Sequence, residues 1–489
     1  MTVETALDRY VHDPERVATV EKVHKMLDEL GVTYLYFQVV SVTGRVVGKG
    51  VPAAHWRRVA MSGVQMVLGA TANVAVSRTG RYLGYGPEAS ELIAIPDPET
   101  FVQLPWDGRA ARVFCTLFTD RGDDQDPGAF LDTDCRGNLR HEQERFRAAH
   151  GLELRCGIEP EMMWLELDES GRPTGGATNP YCYHIEQFEQ LRPVYMQVLD
   201  YCDAMGLDVI QGDHEDAPGQ LELNVMFDDA LRTADRLTTY RQICAQVARE
   251  HRLKACFMAK PFPGVSGSGW HHNVSLWAGG EDVTYQPRGG VKGSDDVYRY
   301  RVGGDNVFLQ EPDSTGPGTV GMQCIAGAVA HLPALTAIAA STVNSYKRLW
   351  DTGFWAPIYA DWGYQNRTCA LRVPAPGRLE YRPADAMVNP YLMMSGLLRA
   401  FDDGIGRGLD PGEPEKRSVY SAIESGKVVE RLPMNLGDAL DALEADPVIR
   451  AALRGHLYDV YTDIKRDEWE RFLATVTEWD VETYMDFVP

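Results

Sequence analysis

The sequence lacks a long apolar run, a basic patch and paired cysteines, and each absence removes a class of function. A membrane span needs roughly 20 consecutive apolar residues, and the start, MTVETALDRYVHDPER, is polar, so neither membrane insertion nor secretion is expected. The sequons at Asn273 and Asn366 are then incidental. The 48 basic residues are outnumbered by 70 acidic ones, a formal charge of −22, which argues against nucleic acid, whose backbone requires clustered Lys and Arg. The nine cysteines are scattered without a CxxC pair, so neither a zinc knuckle nor a disulfide framework is indicated, and reduced thiols in the cytoplasm fit best. What remains is 489 residues, 44% hydrophobic and 24% charged, the profile of a globular chain with a large buried core. Length alone suggests about three domains, although α/β and α+β enzymes often run larger per core.

Three stretches concentrate acids where strands should be. In Asp213–Val225, DHEDAPGQLELNV, Glu215 and Glu222 flank an Ala-Pro-Gly turn. After it, Leu221, Leu223 and Val225 alternate with Glu222 and Asn224, so one strand face is apolar and the other carries an acid toward a cavity. In GIEPEMMW, Glu159 and Glu161 are two apart and share a strand face; their neighbours Cys156, Ile158, Met162 and Trp164 are too apolar for a strand exposed on both sides. In Lys260–Trp277 a glycine-rich loop delivers His271 and His272 into another strand, and alternation turns His272 away from His271. Buried acids require cations. Hard oxygen donors with one imidazole suit Mg²⁺ or Mn²⁺ better than zinc.

In chain order, Asp13-Pro14 opens an amphipathic helix stopped by Gly31, and Thr33–Val42 and Arg45–Val51 form a hairpin at Thr43-Gly44. Residues 1–120 read as a small helix-plus-sheet domain, Asp120–Pro127 as a linker, and 127–489 as the larger domain. There, helices are predicted at 186–206, 230–252, 324–350, 387–406 and 456–475, covering an antiparallel sheet, so the fold class is α+β. Late in the chain, NSYKR ends a helix at Arg348, NRTCALR carries Arg367 and Arg372, and RLEYR puts Arg378, Glu380 and Arg382 on one face. Arginines beside metal-binding acids are what phosphoryl transfer needs.

With these motifs in this order, the chain resembles the glutamine synthetase superfamily along nearly its whole length. The resemblance implies an N-terminal β-grasp domain, a catalytic domain with a curved antiparallel sheet and flanking helices, and a ring of subunits, hexamer or dodecamer, with active sites between them. It implies two divalent ions per site, the first held by Glu161, Glu215 and Glu222 and the second by Glu159, His271 and Glu380. Arg348 and Arg382 match the arginines that hold the glutamate carboxylate, Gly267 the loop touching the amino acid, Arg367 and Arg372 the phosphate-facing arginines, and Ser275 and Arg378 the nucleotide contacts. The implied chemistry is attack of the glutamate γ-carboxylate on ATP, then displacement of phosphate by an amine.

Two departures bear on that amine. Where family members using ammonia carry a flap Glu after NSYKR, this chain has DTGFWAP with Trp355, and in place of an acidic DGSS-like segment it has Val67–Asn73, VLGATAN. Ammonium must be attracted and deprotonated before it attacks, and an organic amine with a hydrophobic substituent needs less of either. The departures thus favour a glutamate–amine ligase making a γ-glutamyl amide, aniline being one candidate amine. Trp355 either packs on the amine or packs on protein while another acid handles the proton, and Tyr181 and Tyr183 compete to line the amine pocket. Ser266 stands where the family has Asn, and Asn273 where it has a second His. The alternatives are glutamine synthesis from ammonia and a non-catalytic relative that binds glutamate and nucleotide.

Overall fold

The computed structural model describes residues 4–123, 125–284, 299–309, 316–350 and 356–486. Asp13 accepts a hydrogen bond from Arg16 N, Pro14 opens the helix Pro14–Glu29, and Gly31, at φ +68°, follows its end, as the caps in the sequence require. A helix that the polar N-terminus did not signal, Ala6–Val11, precedes it and is opened by a Thr5–Asp8 capping box.

Six strands make the first sheet: β1 (Tyr34–Val40), β2 (Val46–Pro52), β3 (Val64–Val67), β4 (Glu91–Pro96), β5 (Val102–Leu104) and β6 (Asp107–Thr119). Their order is β2-β1-β6-β4-β3, with β5 also on β6. β1 and β2 form the expected hairpin, turned at Gly44 with φ +81°, while β1 and β6 run parallel. Val20, Val23 and Leu27 of the helix pack with Leu35, Phe37, Val113 and Leu117 of the sheet into a core of their own. Across the stretch expected as a linker, Gly128 N donates to Asp120 O.

The second sheet holds β7 (Leu152–Leu167), β8 (Pro173–Gly176), β9 (Val209–His214), β10 (Gln220–Asp229), β11 (Leu253–Cys256) and β12 (Trp270–Ala278). A separate hairpin, β13 (Glu281–Thr284) with β14 (Arg299–Val302), follows. Then β15 (Asp305–Asn306), β16 (Trp362–Tyr364), β17 (Leu371–Ala375) and β18 (Arg378–Tyr381) complete the large sheet, in the order β16-β17-β18-β12-β7-β10-β9. It is antiparallel except for β16 with β17, which run parallel, a departure from the all-antiparallel expectation. Register shifts in β10 and β17 bend it. On one face, Ile158, Met162, Trp164, Leu221 and Leu223 join the main core beneath the helices Cys135–His150 and Ala230–Glu250.

Two predicted helices are each divided. The span 186–206 is Ile185–Gln190 and Arg192–Ala204, because Pro193 has no N–H to continue a helix and starts a new first turn instead. The span 324–350 is Thr319–Ala339 and Val343–Trp350, broken where Thr342 Oγ1 accepts from Ser345 N. Thr319–Ala339 also corrects the claim that no long apolar run exists: by length and composition this helix could cross a membrane, yet most of it is buried inside the chain. The remaining helices, Ala230–Glu250, Pro390–Arg407 and His456–Leu473, lie within a few residues of their predicted bounds.

Candidate functional site

Strand register assembles the acids. Glu222 on β10 pairs with Asp213 on β9 and with Glu161 on β7, so three carboxylates line up across three strands. Beside them Glu159 on β7 pairs with His271 on β12, and one strand further Asn273 pairs with Glu380, itself opposite Arg372. Glu215 follows the end of β9, held by its N–H to Gln220 O. These side chains share one sheet face because period-two alternation sends their neighbours into the core. Glu159, Glu161, Asp213, Glu215, Glu222 and His271 line a cavity of about 430 Å³ together with Arg348, Arg367, Arg372, Arg378 and Arg382, while Glu380 and Asn273 do not line it.

The electrostatics are those of acids crowded without enough cation. Burial and then the Glu215 charge push Glu161 up to about 8; burial and then Asp213 push Glu215 up to about 7. Glu222, nearest the middle, is driven well above the ordinary carboxyl range by burial and then by Glu161 and Glu159. Glu159 goes the other way: burial would raise it, but the hydrogen bond and charge of His271 together with Asn273 and Arg378 hold it down to about 2. His271 is itself lowered, by burial and then by Arg382, and its Nδ1 lies 3.3 Å from a Glu159 carboxylate oxygen. Glu380 is fully buried between Arg372 Nη1, 2.7 Å away, and Arg382, and these arginines hold it below its usual value against burial.

Divalent cations fit this donor set. Glu159, Glu222 and His271 offer ligand atoms within 4.8 Å of one another, and so do Asp213, Glu215 and Glu222. Asp213 Oδ1 and Asn224 Oδ1 are buried without a hydrogen-bond partner. Oxygen donors with one imidazole are a hard set. Glu222 belongs to both clusters, and Asp213 stands beside Glu215. Glu161 Oε2 instead accepts from Gly269 N (2.7 Å) and Gln220 Nε2 (3.0 Å), and Glu380 keeps company with arginines, 3.6 Å from His271. Asp213 and Glu215 are two apart, the same signal that singled out Glu159 and Glu161.

Of the remaining candidates, Arg348 is buried, donating to Pro383 O and Arg382 O, and Gly267 lies against it, since a Cβ there would come within 2.7 Å of Arg348 Cγ. Arg367 and Arg378 are exposed at the cavity rim. Ser275 is buried and accepts from Trp277 Nε1; it does not line the cavity. Tyr183, at φ +59°, lines the cavity beside Cys182, while Tyr181 is exposed against the His184 ring. His272 points away from the cavity as expected, its Nδ1 on Trp270 O. Trp355 lies outside the described residues. Most of Val67–Asn73 is buried within the chain, and none of it lines the cavity. Two carboxylates that the sequence did not place there, Asp213 and Asp216, do line it, the latter bonded to Ser266 Oγ.

The family model for the glutamine synthetase catalytic domain matches residues 132–305 and 300–484. The glutamine synthetase of Halobacterium salinarum is 31% identical over 97% of this chain and 99% of its own length, and that of Methanocaldococcus jannaschii 33% identical over 82% and 84%. Among solved structures, the ADP complex of GmaS superposes with a TM-score of 0.81 at 30% identity, covering 95% of this chain and 99% of the other, and GmaS without ligand with 0.80 at 29%, covering the same shares.

Proposed function

The chain belongs to the glutamine synthetase family of ATP-dependent ligases, and from that premise we propose that it joins the γ-carboxylate of L-glutamate to an organic amine, aromatic amines such as aniline included. The observation that carries the proposal is the cavity itself, in which a row of crowded carboxylates faces five arginines. Two Mg²⁺ or Mn²⁺ ions, held by Asp213, Glu215 and Glu222 and by Glu159, Glu222 and His271, with Glu161 and Glu380 beside them, would neutralise charge developing on the phosphates.

The protein's own part is positional. Arg348 and Arg382 hold the α-carboxylate of glutamate against the Gly267 loop, and Arg367 and Arg372 hold the phosphates, with Arg378 at the nucleotide end. The γ-carboxylate oxygen bonds to the terminal phosphorus of ATP as the bond to the β,γ-bridging oxygen breaks and ADP leaves. The amine nitrogen then bonds to the acyl carbon, the acyl C–O bond breaks, and inorganic phosphate departs. The nitrogen's proton passes to the acidic wall at Asp216, which holds no cation.

An organic amine is supported by Trp355 in place of the flap acid, by the acid-free segment Val67–Asn73 and by the likeness to GmaS. The rival, ammonia, is supported by Asp213 and Asp216 in the cavity and by relatives named glutamine synthetase. ATP-dependent product formation, followed by mass detection across ammonium, methylamine, ethanolamine, polyamines and aniline, decides: a kcat/KM highest for ammonium rejects the organic amine. Trp355→Glu is expected to raise ammonium use relative to the organic amine, and an unchanged preference removes Trp355 as a selectivity residue. No ATP consumption with any amine would favour a binding protein.

A ring, hexamer or dodecamer, is supported by two features of the single chain. No residue of 4–120 lines the cavity among the described residues, so a neighbour's N-terminal domain has room to close it. The terminal helix Glu478–Tyr484 buries no residue and leaves Trp479 exposed to water.

A further inference from the structure

Gln220 is buried, and its amide reaches three segments of the cavity at once. Oε1 accepts from Ala217 N (2.9 Å) in the turn between Glu215 and Glu222, which fixes the other end as the NH₂. Nε2 then donates to Glu161 Oε2 at 3.0 Å and to Gly267 O at 3.1 Å, with Ser268 Oγ at 3.3 Å. Gly269 N donates to the same Glu161 oxygen at 2.7 Å. One oxygen of Glu161 is thus tied to the 267–269 loop twice, directly and through Gln220. Its other oxygen borders the space where a Cβ on Gly269 would fall, 3.2 Å from Glu161 Oε1 and 2.9 Å from both His271 Nε2 and Arg348 Nη2.

We propose that Gln220 is a positioning residue that couples the amino-acid subsite to the cation sites, so that L-glutamate seated on the Gly267 loop and a divalent cation at the carboxylates each tighten the binding of the other. The proposal rests on the ligase function above, because it takes L-glutamate as the occupant of that loop. The physical route is short. An amino acid that settles the loop also settles Gly267 O and Gly269 N, and through Gln220 and Glu161 it orders an acid beside the cations before they arrive. A carboxylate already oriented loses less freedom on ligation, and linkage makes the effect reciprocal.

The test measures binding rather than turnover. Mn²⁺ affinity is determined by titration calorimetry on the full-length protein with and without saturating L-glutamate, and glutamate affinity with and without Mn²⁺. The wild type is expected to show about a tenfold tightening in both directions, by the same factor. Gln220→Met, of similar volume but without donors, is expected to bind both ligands with the factor reduced to about twofold or less, on the same ratio scale. If that variant does not fold, Gln220→Asn, whose amide is too short to bridge the segments, takes its place with the same expectation. A folded variant that keeps the full factor overturns the proposal, and so does a wild type that binds glutamate without any shift in its Mn²⁺ constant. Failure of the wild type to bind glutamate at all overturns the ligase function as well.

Discussion

Gly269 has no room for a side chain, because a Cβ there would approach Arg348 Nη2 and His271 Nε2 to 2.9 Å. Gly269→Ala is therefore expected to lower kcat/KM by about 100-fold while leaving the melting temperature nearly unchanged, since small displacements of reacting groups are costly to rate. Steady-state kinetics beside a melting curve check this; full activity would mean that the space is not used. Glu222 gives a prediction with two opposite signs. Its carboxyl is raised by burial and by Glu161 and Glu159, so in the absence of cation Glu222→Gln relieves repulsion and should melt at or above the wild type. Adding Mn²⁺ should raise the wild-type melting temperature by several degrees, a few kcal/mol of binding linkage. The variant should lose that rise because Glu222 belongs to both ligand groups. The five acids and one His expected as ligands stand out in the chain by two-residue spacing and family motif. How they divide does not, because it depends on which strands are neighbours.

Two apolar helices meet through glycine. A Cβ on Gly327, in Thr319–Ala339, would lie 2.1 Å from Ala400 O in Pro390–Arg407, and one on Gly404 equally close to Gln323 O. Gly327→Ala should therefore destabilise by about 1–3 kcal/mol through overpacking. Gly406, with nothing within 4 Å of its Cβ position in the same helix, should gain up to about 1 kcal/mol on replacement by Ala, because helix propensity then acts alone. Denaturant midpoints of the two variants must move in opposite directions. His331, also on Thr319–Ala339, lies 2.6 Å from Asp446 and 3.1 Å from Asp403. Burial lowers its pKa, but those two acids raise it more, leaving a net rise from 6.5. A raised folded value means that the stabilisation is fully present below pH 6.5 and is lost as pH rises through the folded value. The melting difference between wild type and His331→Gln should accordingly shrink with rising pH across that window; a constant difference would assign His331 to packing alone. The apolar periodicity of these helices was readable in the chain. The break at Leu191 is also carried by the chain, in Pro193, whereas that at Ala340–Thr342 appears only once Thr342 caps Ser345 in the folded chain.

Across the whole molecule, Arg136 ties the two sheets together. From the helix Cys135–His150 it donates to Asp97, just after β4, at 2.8 Å and to Asp235 in Ala230–Glu250 at 2.9 Å, with Arg140 adding a second bond to Asp97. Burial would raise Asp97, and the two arginines lower it further than burial raises it. Arg136→Met leaves Asp97 with Arg140 as its cation and Asp235 with the Tyr391 hydroxyl, and removing the shared cation should cost about 3 kcal/mol in global stability, read by chemical denaturation. A loss under 1 kcal/mol, the range of exposed ion pairs, would mean that water reaches both acids in the variant.

The sequence by itself determined the family, the α+β class, the paired-acid strands and the arginine-rich late segments, because alternation and spacing act within a few residues. Only the tertiary structure decided that Asp213 joins Glu215 and Glu222, that Tyr183 rather than Tyr181 lines the cavity, and that Gln220 bridges the turn, the acid and the loop. Those outcomes follow from register between strands far apart in the chain, and a one-residue shift of register would carry every one of these side chains to the opposite face.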